Sequence, residues 1–97
     1  MTTSRPARLV FFKKTGCEPC ELASRELRQV LDQYPQYESY VKVMFKENVP
    51  SLVAAYELKL YPTVLIMDQD NNELSRKVGS SILTQRWWFE ALTALAN

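Results

Sequence analysis

The sequence contains no histidine. That removes Ser-His-Asp and Cys-His catalysis, together with every metal site built on imidazole. Glycine occurs only at Gly16 and Gly79, so no glycine-rich loop exists to cradle a phosphate. Cysteine occurs only at Cys17 and Cys20. Neither sign of charge predominates: the net charge is +1, and Lys13 and Lys14 are the only adjacent lysines. Nothing in that balance calls for nucleic acid or an anionic membrane as a partner. No apolar run approaches the length that crosses a bilayer. The start, Met1 to Arg8, is polar, and no stretch after it has the length of a signal peptide. The expectation is a soluble cytoplasmic protein, monomeric, without membrane or nucleic-acid partners. Thiols are kept reduced in that compartment, so a structural staple is a poor first reading of the cysteine pair.

What is present suffices for one folded domain. Apolar residues make up 46% of the 97 positions, enough for a real core. We read residues 1–97 as a single domain with an N-terminal tail over residues 1–8. Leu9 to Phe12 is a short continuous apolar run, which suits a strand buried on both faces. From Cys17 the period changes: Leu22, Ala23, Leu27, Val30, Leu31 and Tyr34 recur at helical spacing until Pro35. Glu21 with Arg25, and Arg28 with Asp32, are opposite charges four apart on the wet face. Ser39 to Phe45 reads as a second strand. Asn48 is placed to cap a short helix through Tyr56, with Pro50 in its first turn and Leu52, Val53 and Tyr56 as its apolar stripe. Thr63 to Met67 is a third strand, and Leu74 to Val78 a fourth, joined by the polar turn DQDNNE. Ser81 is placed to cap a last helix reaching about Ala96, with Trp88, Ala91, Leu92 and Leu95 inward. The order β-α-β-α-β-β-α predicts an α/β fold. Its first two strands are parallel, its last two antiparallel, and helices flank the mixed sheet.

The cysteines stand between the first buried strand and the start of the first helix. At Cys17 the helix leaves free N–H groups and a partial positive charge, and both stabilise a thiolate. Cys20 is one turn further on the same face, within disulfide reach. Pro19 is tolerated in a first helical turn and stiffens it. An exposed attacking thiol beside a sheltered partner is what dithiol exchange needs. Two other readings stand beside this one. The residues are ordinary small core side chains, or they are half of a zinc site that a second chain or a small thiol completes, since zinc wants four ligands. A second feature is Pro62, directly before the third strand. Either it is an ordinary trans proline at a strand start, or a cis Tyr61–Pro62 bond turns the chain there.

At these residues the chain resembles the thioredoxin family. CEPC after a strand is similar to the family's C-x-P-C redox site, YPT to its cis-proline loop, and KVG to the loop whose glycine flanks the site. The stretch from Val41 to Ile66 resembles the corresponding strand, turn and short helix that lead to Pro-Thr in thioredoxins. The resemblance covers Leu9 to Ala96 and lacks the extra N-terminal strand and helix of longer members. It implies a thioredoxin-like fold with a four-stranded mixed sheet, and a thiol–disulfide oxidoreductase that reduces protein disulfides. By that resemblance Cys17 is the attacking thiolate and Cys20 the resolving thiol. Pro62 is the cis proline packed on the pair, and Tyr61, Val78 and Gly79, with Glu18 and Pro19, line the substrate groove. The disulfide between Cys17 and Cys20 is then the redox centre, with no cofactor or metal. Electrons come from a reductase or a small thiol. The alternatives are a glutaredoxin-like, glutathione-dependent reductase, or a thioredoxin-fold module that binds a partner protein.

Departures from the family pattern are specific. Gly16 stands where thioredoxins carry Trp, and Glu18 where they carry Gly. Phe11 stands where they bury an Asp as proton relay, which leaves water or Glu18 to take the Cys20 proton. Glu18 opposes thiolate formation at Cys17, while Lys13, Lys14 and the helix start favour it. GSSI replaces the element many glutaredoxins show after the cis-proline hairpin. Finally, Trp87, Trp88 and Phe89 are consecutive, and one helix face cannot bury all three. Trp88 is best placed for the core. Trp87 or Phe89 covers the sheet's rim or forms a partner surface. Lys42, Lys46 and Lys59 read as solvated charges.

Overall fold

A computed structural model describes residues 5–97. Residues 1–4 of the tail read over 1–8 lie outside the described residues. The first strand, β1 (Arg8–Lys13), starts one residue inside that tail. The Ala7 N–H already donates to the Met67 carbonyl at 2.7 Å, which extends the pairing outward. The other elements are α1 (Glu18–Gln33), β2 (Val41–Phe45), α2 (Pro50–Ala55), β3 (Thr63–Met67), β4 (Glu73–Val78) and α3 (Gln85–Ala96). Two 3-10 turns, Pro35–Tyr40 and Lys46–Asn48, flank β2.

The four strands lie in the order β2-β1-β3-β4. β1 and β2 are parallel, with Phe11 opposite Val43. β1 and β3 run antiparallel, as do β3 and β4. Alternation divides the core in two. Leu9 and Phe11 of β1 and Val64 of β3 face α1 and α3, where they meet Ala23, Leu27, Val30, Leu31, Trp88 and Leu92. Val10, Phe12, Leu65 and Met67 face the other way, toward Leu52, Val53, Tyr56 and Leu58. This explains why β1 reads as a continuous apolar run: both its faces are covered.

Several local expectations are corrected. Leu22 sits on the outer side of α1 at 44% exposure, while Ala23, Leu27, Val30 and Leu31 carry the buried stripe. Ser39 and Tyr40 belong to the 3-10 turn after Pro35, not to β2, which starts at Val41. Asn48 does not cap α2: Val49 holds that place with no side-chain hydrogen bond, and Pro50 opens the helix. That first turn needs little capping because proline has no N–H to satisfy. Ser81 does not cap α3 either. Thr84 does, its Oγ1 accepting the Trp87 N–H at 3.1 Å. Glu21 pairs with Lys13 at 3.1 Å rather than with the Arg25 guanidinium, whose Nε instead reaches the Glu21 carbonyl. The β3–β4 turn is held by Asp68, whose Oδ1 accepts the Asp70 and Asn72 N–H groups at 2.8 and 2.9 Å. Among the described residues, no helix is long and apolar enough to cross a membrane.

Candidate redox site

Three connections converge at one end of the sheet. In the β1–β3 register Phe12 lies opposite Thr63, so the turn leaving β1 and the segment entering β3 emerge together. Thr63 in turn lies opposite Val78, which brings the end of β4 alongside. The Gly79 N–H donates to the Pro62 carbonyl at 2.9 Å and ties those two segments. Gly16 has φ +70° and Gly79 φ +97°, and open space surrounds the position of a Cβ at each. Glycine is therefore required for its left-handed backbone, not for room.

The cysteine pair occupies the mouth of α1. Cys17 is its N-cap, in extended conformation, with its sulfur accepting the Cys20 N–H at 3.2 Å. A sulfur in that place acts as serine or aspartate oxygens do at other helix starts. The two residues form a disulfide, with their Cα atoms 5.2 Å apart. Cys17 was expected to be the exposed member, yet it is only 5% exposed against 0% for Cys20. With its sulfur bonded to Cys20 and turned toward the helix N–H, Cys17 keeps only a narrow edge at the surface. Neighbouring Glu18 and Pro19 are exposed.

The Tyr61–Pro62 bond is cis. Pro62 is fully buried, and Tyr61, Val78 and Gly79 are half-buried around it. Tyr61 makes no backbone hydrogen bond among the described residues, since pairing of β3 starts at Thr63. Its phenol oxygen is buried without a partner, and burial, with Glu47 adding to it, pushes the phenol pKa up. Leu60 beside it is 66% exposed, and Ile82, shortly after Gly79, 45%. These two apolar rim residues escaped the reading of the sequence. Their one signal was an apolar side chain directly before YPT, at Leu60, and another three residues after Gly79, at Ile82.

Phe11, on the β1 face that α1 and α3 cover, is fully buried and packs on Trp88 with ring centroids 5.2 Å apart. Lys13, next on that face, is 8% exposed. Its ammonium pairs with Glu21 and lies 5.3 Å from the Phe45 ring centroid. Glu47 was not singled out at all. Its Oε1 accepts the Thr15 N–H at 3.0 Å, and Oε2 lies 3.3 Å from Thr15 Oγ1. The Thr15 N–H is the main cause that holds the Glu47 carboxyl below the usual glutamate range. Among the described residues, no three His, Cys, Asp or Glu side chains gather where they would hold a metal. The chemistry at hand is a thiol pair that closes and opens, transferring two electrons.

No family model matches the chain, and no curated protein matches it. Solved structures do. Thioredoxin-2, a component of the malaria parasite protein secretion machinery, superposes with a TM-score of 0.70 at 14% identity, over 96% of this chain and 97% of that one. The thioredoxin of Malassezia sympodialis gives 0.68 at 12% identity, over 100% and 97%. Chloroplastic thioredoxin z gives 0.65 at 26% identity, over 95% of this chain and 80% of that one. The mixed four-stranded sheet with its flanking helices is the thioredoxin fold. Many of its structural neighbours are thioredoxins, and the Cys17–Cys20 spacing matches the C-x-x-C pattern of that family.

Proposed function

We propose that this protein is a thiol–disulfide oxidoreductase that reduces disulfides in other proteins. The observation that carries the proposal is the Cys17–Cys20 disulfide at the start of α1, with the Cys17 sulfur in the N-cap place. When the pair is reduced, that place offers a thiolate at Cys17 the Cys20 N–H and the positive end of the helix. The thiolate attacks one sulfur of a substrate disulfide. A Cys17–substrate bond forms, the substrate disulfide breaks, and one substrate sulfur leaves as thiolate. The Cys20 thiol then loses its proton to water or to Glu18 and attacks the Cys17 sulfur. The mixed disulfide breaks, the Cys17–Cys20 disulfide forms, and the substrate departs as a dithiol carrying two electrons. A reductase or a small thiol returns two electrons and restores the dithiol.

The surroundings support a protein substrate. The unpaired backbone of Tyr61 offers an extended segment a strand-like partner, and Leu60 and Ile82 supply apolar rim. The test is insulin reduction driven by dithiothreitol. Wild type accelerates precipitation of the insulin B chain, and Cys17→Ser does not. Equal rates for the two proteins end this reading. Supplying thioredoxin reductase or glutathione in place of dithiothreitol identifies the donor and separates the thioredoxin-like from the glutaredoxin-like reaction.

A further inference from the structure

We infer that Glu47 is a positioning residue for Cys17: its carboxylate locks the turn that presents the nucleophile. The inference rests on the thiol–disulfide reading above and adds a residue outside the CEPC, YPT and KVG motifs.

The parallel register explains how a residue so distant in sequence reaches the site. Lys13 lies opposite Phe45 at the ends of β1 and β2. Two residues further along each strand's exit stand Thr15 and Glu47. The 3-10 turn Lys46–Asn48 holds Glu47 beside the β1 exit. From there one carboxylate takes both the N–H and the hydroxyl of Thr15, at 3.0 and 3.3 Å. Hydrogen bonds to an ionised acceptor are stronger than neutral ones. Only Gly16, in its left-handed conformation, separates Thr15 from Cys17. A clamp on Thr15 therefore restricts where the Cys17 sulfur sits relative to the Cys20 N–H, the contact at 3.2 Å that a thiolate needs. The same 3-10 turn reaches the neighbouring loop, for the Lys46 ammonium lies 5.5 Å from the Tyr61 ring centroid. One short turn thus braces both the cysteine turn and the segment entering β3.

A negative charge near Cys17 by itself raises the thiol pKa, whereas a clamp that keeps the sulfur at the helix N–H lowers it. Two variants separate these effects. Glu47→Gln removes the charge but keeps an oxygen for the Thr15 N–H, and Glu47→Ala removes both. The measurement is the iodoacetamide alkylation rate of Cys17 in the fully reduced protein across pH, with the site mapped by mass spectrometry. For positioning, Glu47→Ala raises the apparent thiol pKa and slows alkylation at pH 6 by about fivefold, the effect of roughly one net hydrogen bond. Glu47→Gln stays within about twofold of wild type on the same scale. Amide exchange at Thr15 accelerates in Glu47→Ala. Faster alkylation in both variants shows that Glu47 acts only as a charge, and unchanged rates show that it does nothing to Cys17. Either result overturns the inference. Alkylation requires no disulfide substrate, so it reads the clamp even where insulin reduction fails.

Discussion

The Phe11 ring packs against the Trp88 indole, centroids 5.2 Å apart and planes inclined by 60°. Both side chains are fully buried on the sheet face that α1 and α3 cover. The Trp88 Nε1 is buried there without a hydrogen-bond partner. Thus the position that resembles the buried Asp of thioredoxins is filled by a tight aromatic pair, and nothing in it accepts a proton.

Phe11→Asp introduces the missing base. Burying an unpaired carboxylate costs on the order of a few kcal/mol, seen as a lower urea midpoint. In the folded variant, single-turnover resolution of the mixed disulfide accelerates near neutral pH. Equal resolution rates at every pH mean that Phe11 is not behind Cys20 or that deprotonation of Cys20 never limits the reaction.

Because Cys17 alone holds the N-cap place of α1, the two thiols of the reduced protein are expected to differ in reactivity. Limited alkylation of the reduced protein at mildly acidic pH labels Cys17 first. Peptide mapping that finds Cys20 labelled first reverses the assigned roles.

Trp88 is the largest fully buried side chain, and α3 is anchored through it and Leu92. Trp88→Ala destabilises the protein by about 3–5 kcal/mol. Trp87→Ala, at a half-buried position, costs markedly less. Equilibrium urea melts give both values, and equal losses refute the division of labour among the three aromatics.

Glu73 is held below the usual glutamate range, chiefly by its hydrogen bond from Arg76, whose Nε lies 2.6 Å away. Arg76 also donates to the Tyr56 carbonyl at 2.8 Å, tying the end of α2 to β4. A depressed folded pKa stabilises above the ordinary glutamate pKa, and that contribution disappears as pH falls through the folded value. The pair is partly exposed, so solvent screening limits it to about 1 kcal/mol or less. Glu73→Gln therefore lowers the urea midpoint at pH 7 and converges with wild type as pH falls below the depressed folded pKa of Glu73. A deficit that persists at low pH assigns the effect to packing instead.

Much was legible wherever one residue's pattern already implied its environment. The apolar run Leu9–Phe12 requires cover on both faces, and the structure supplies it. Val30, Leu31 and Leu27 declare α1 by spacing alone, and Thr63 to Met67 matches β3 residue for residue. Caps were misread because several polar residues compete for each helix start. Asn48, Ser81 and Thr84 have similar intrinsic preference, and only backbone geometry selects among them. Leu22 follows the helical period as well as Ala23 does, but sits on the wrong side once α3 fixes which face of α1 is covered.

The sequence alone narrowed the candidate chemistry. Without histidine, and with cysteine confined to Cys17 and Cys20, a thiol pair at a strand–helix junction was its leading candidate, and local spacing sufficed to find it. Tertiary structure decided what stands around that pair. Lys13 meets Glu21 rather than solvent, Cys17 keeps only a narrow exposed edge, and Glu47 reaches Thr15. The last of these joins residues close only after β1 and β2 pair, because register, not spacing along the chain, sets which side chains share a sheet end; the first depends on how α1 packs on β1.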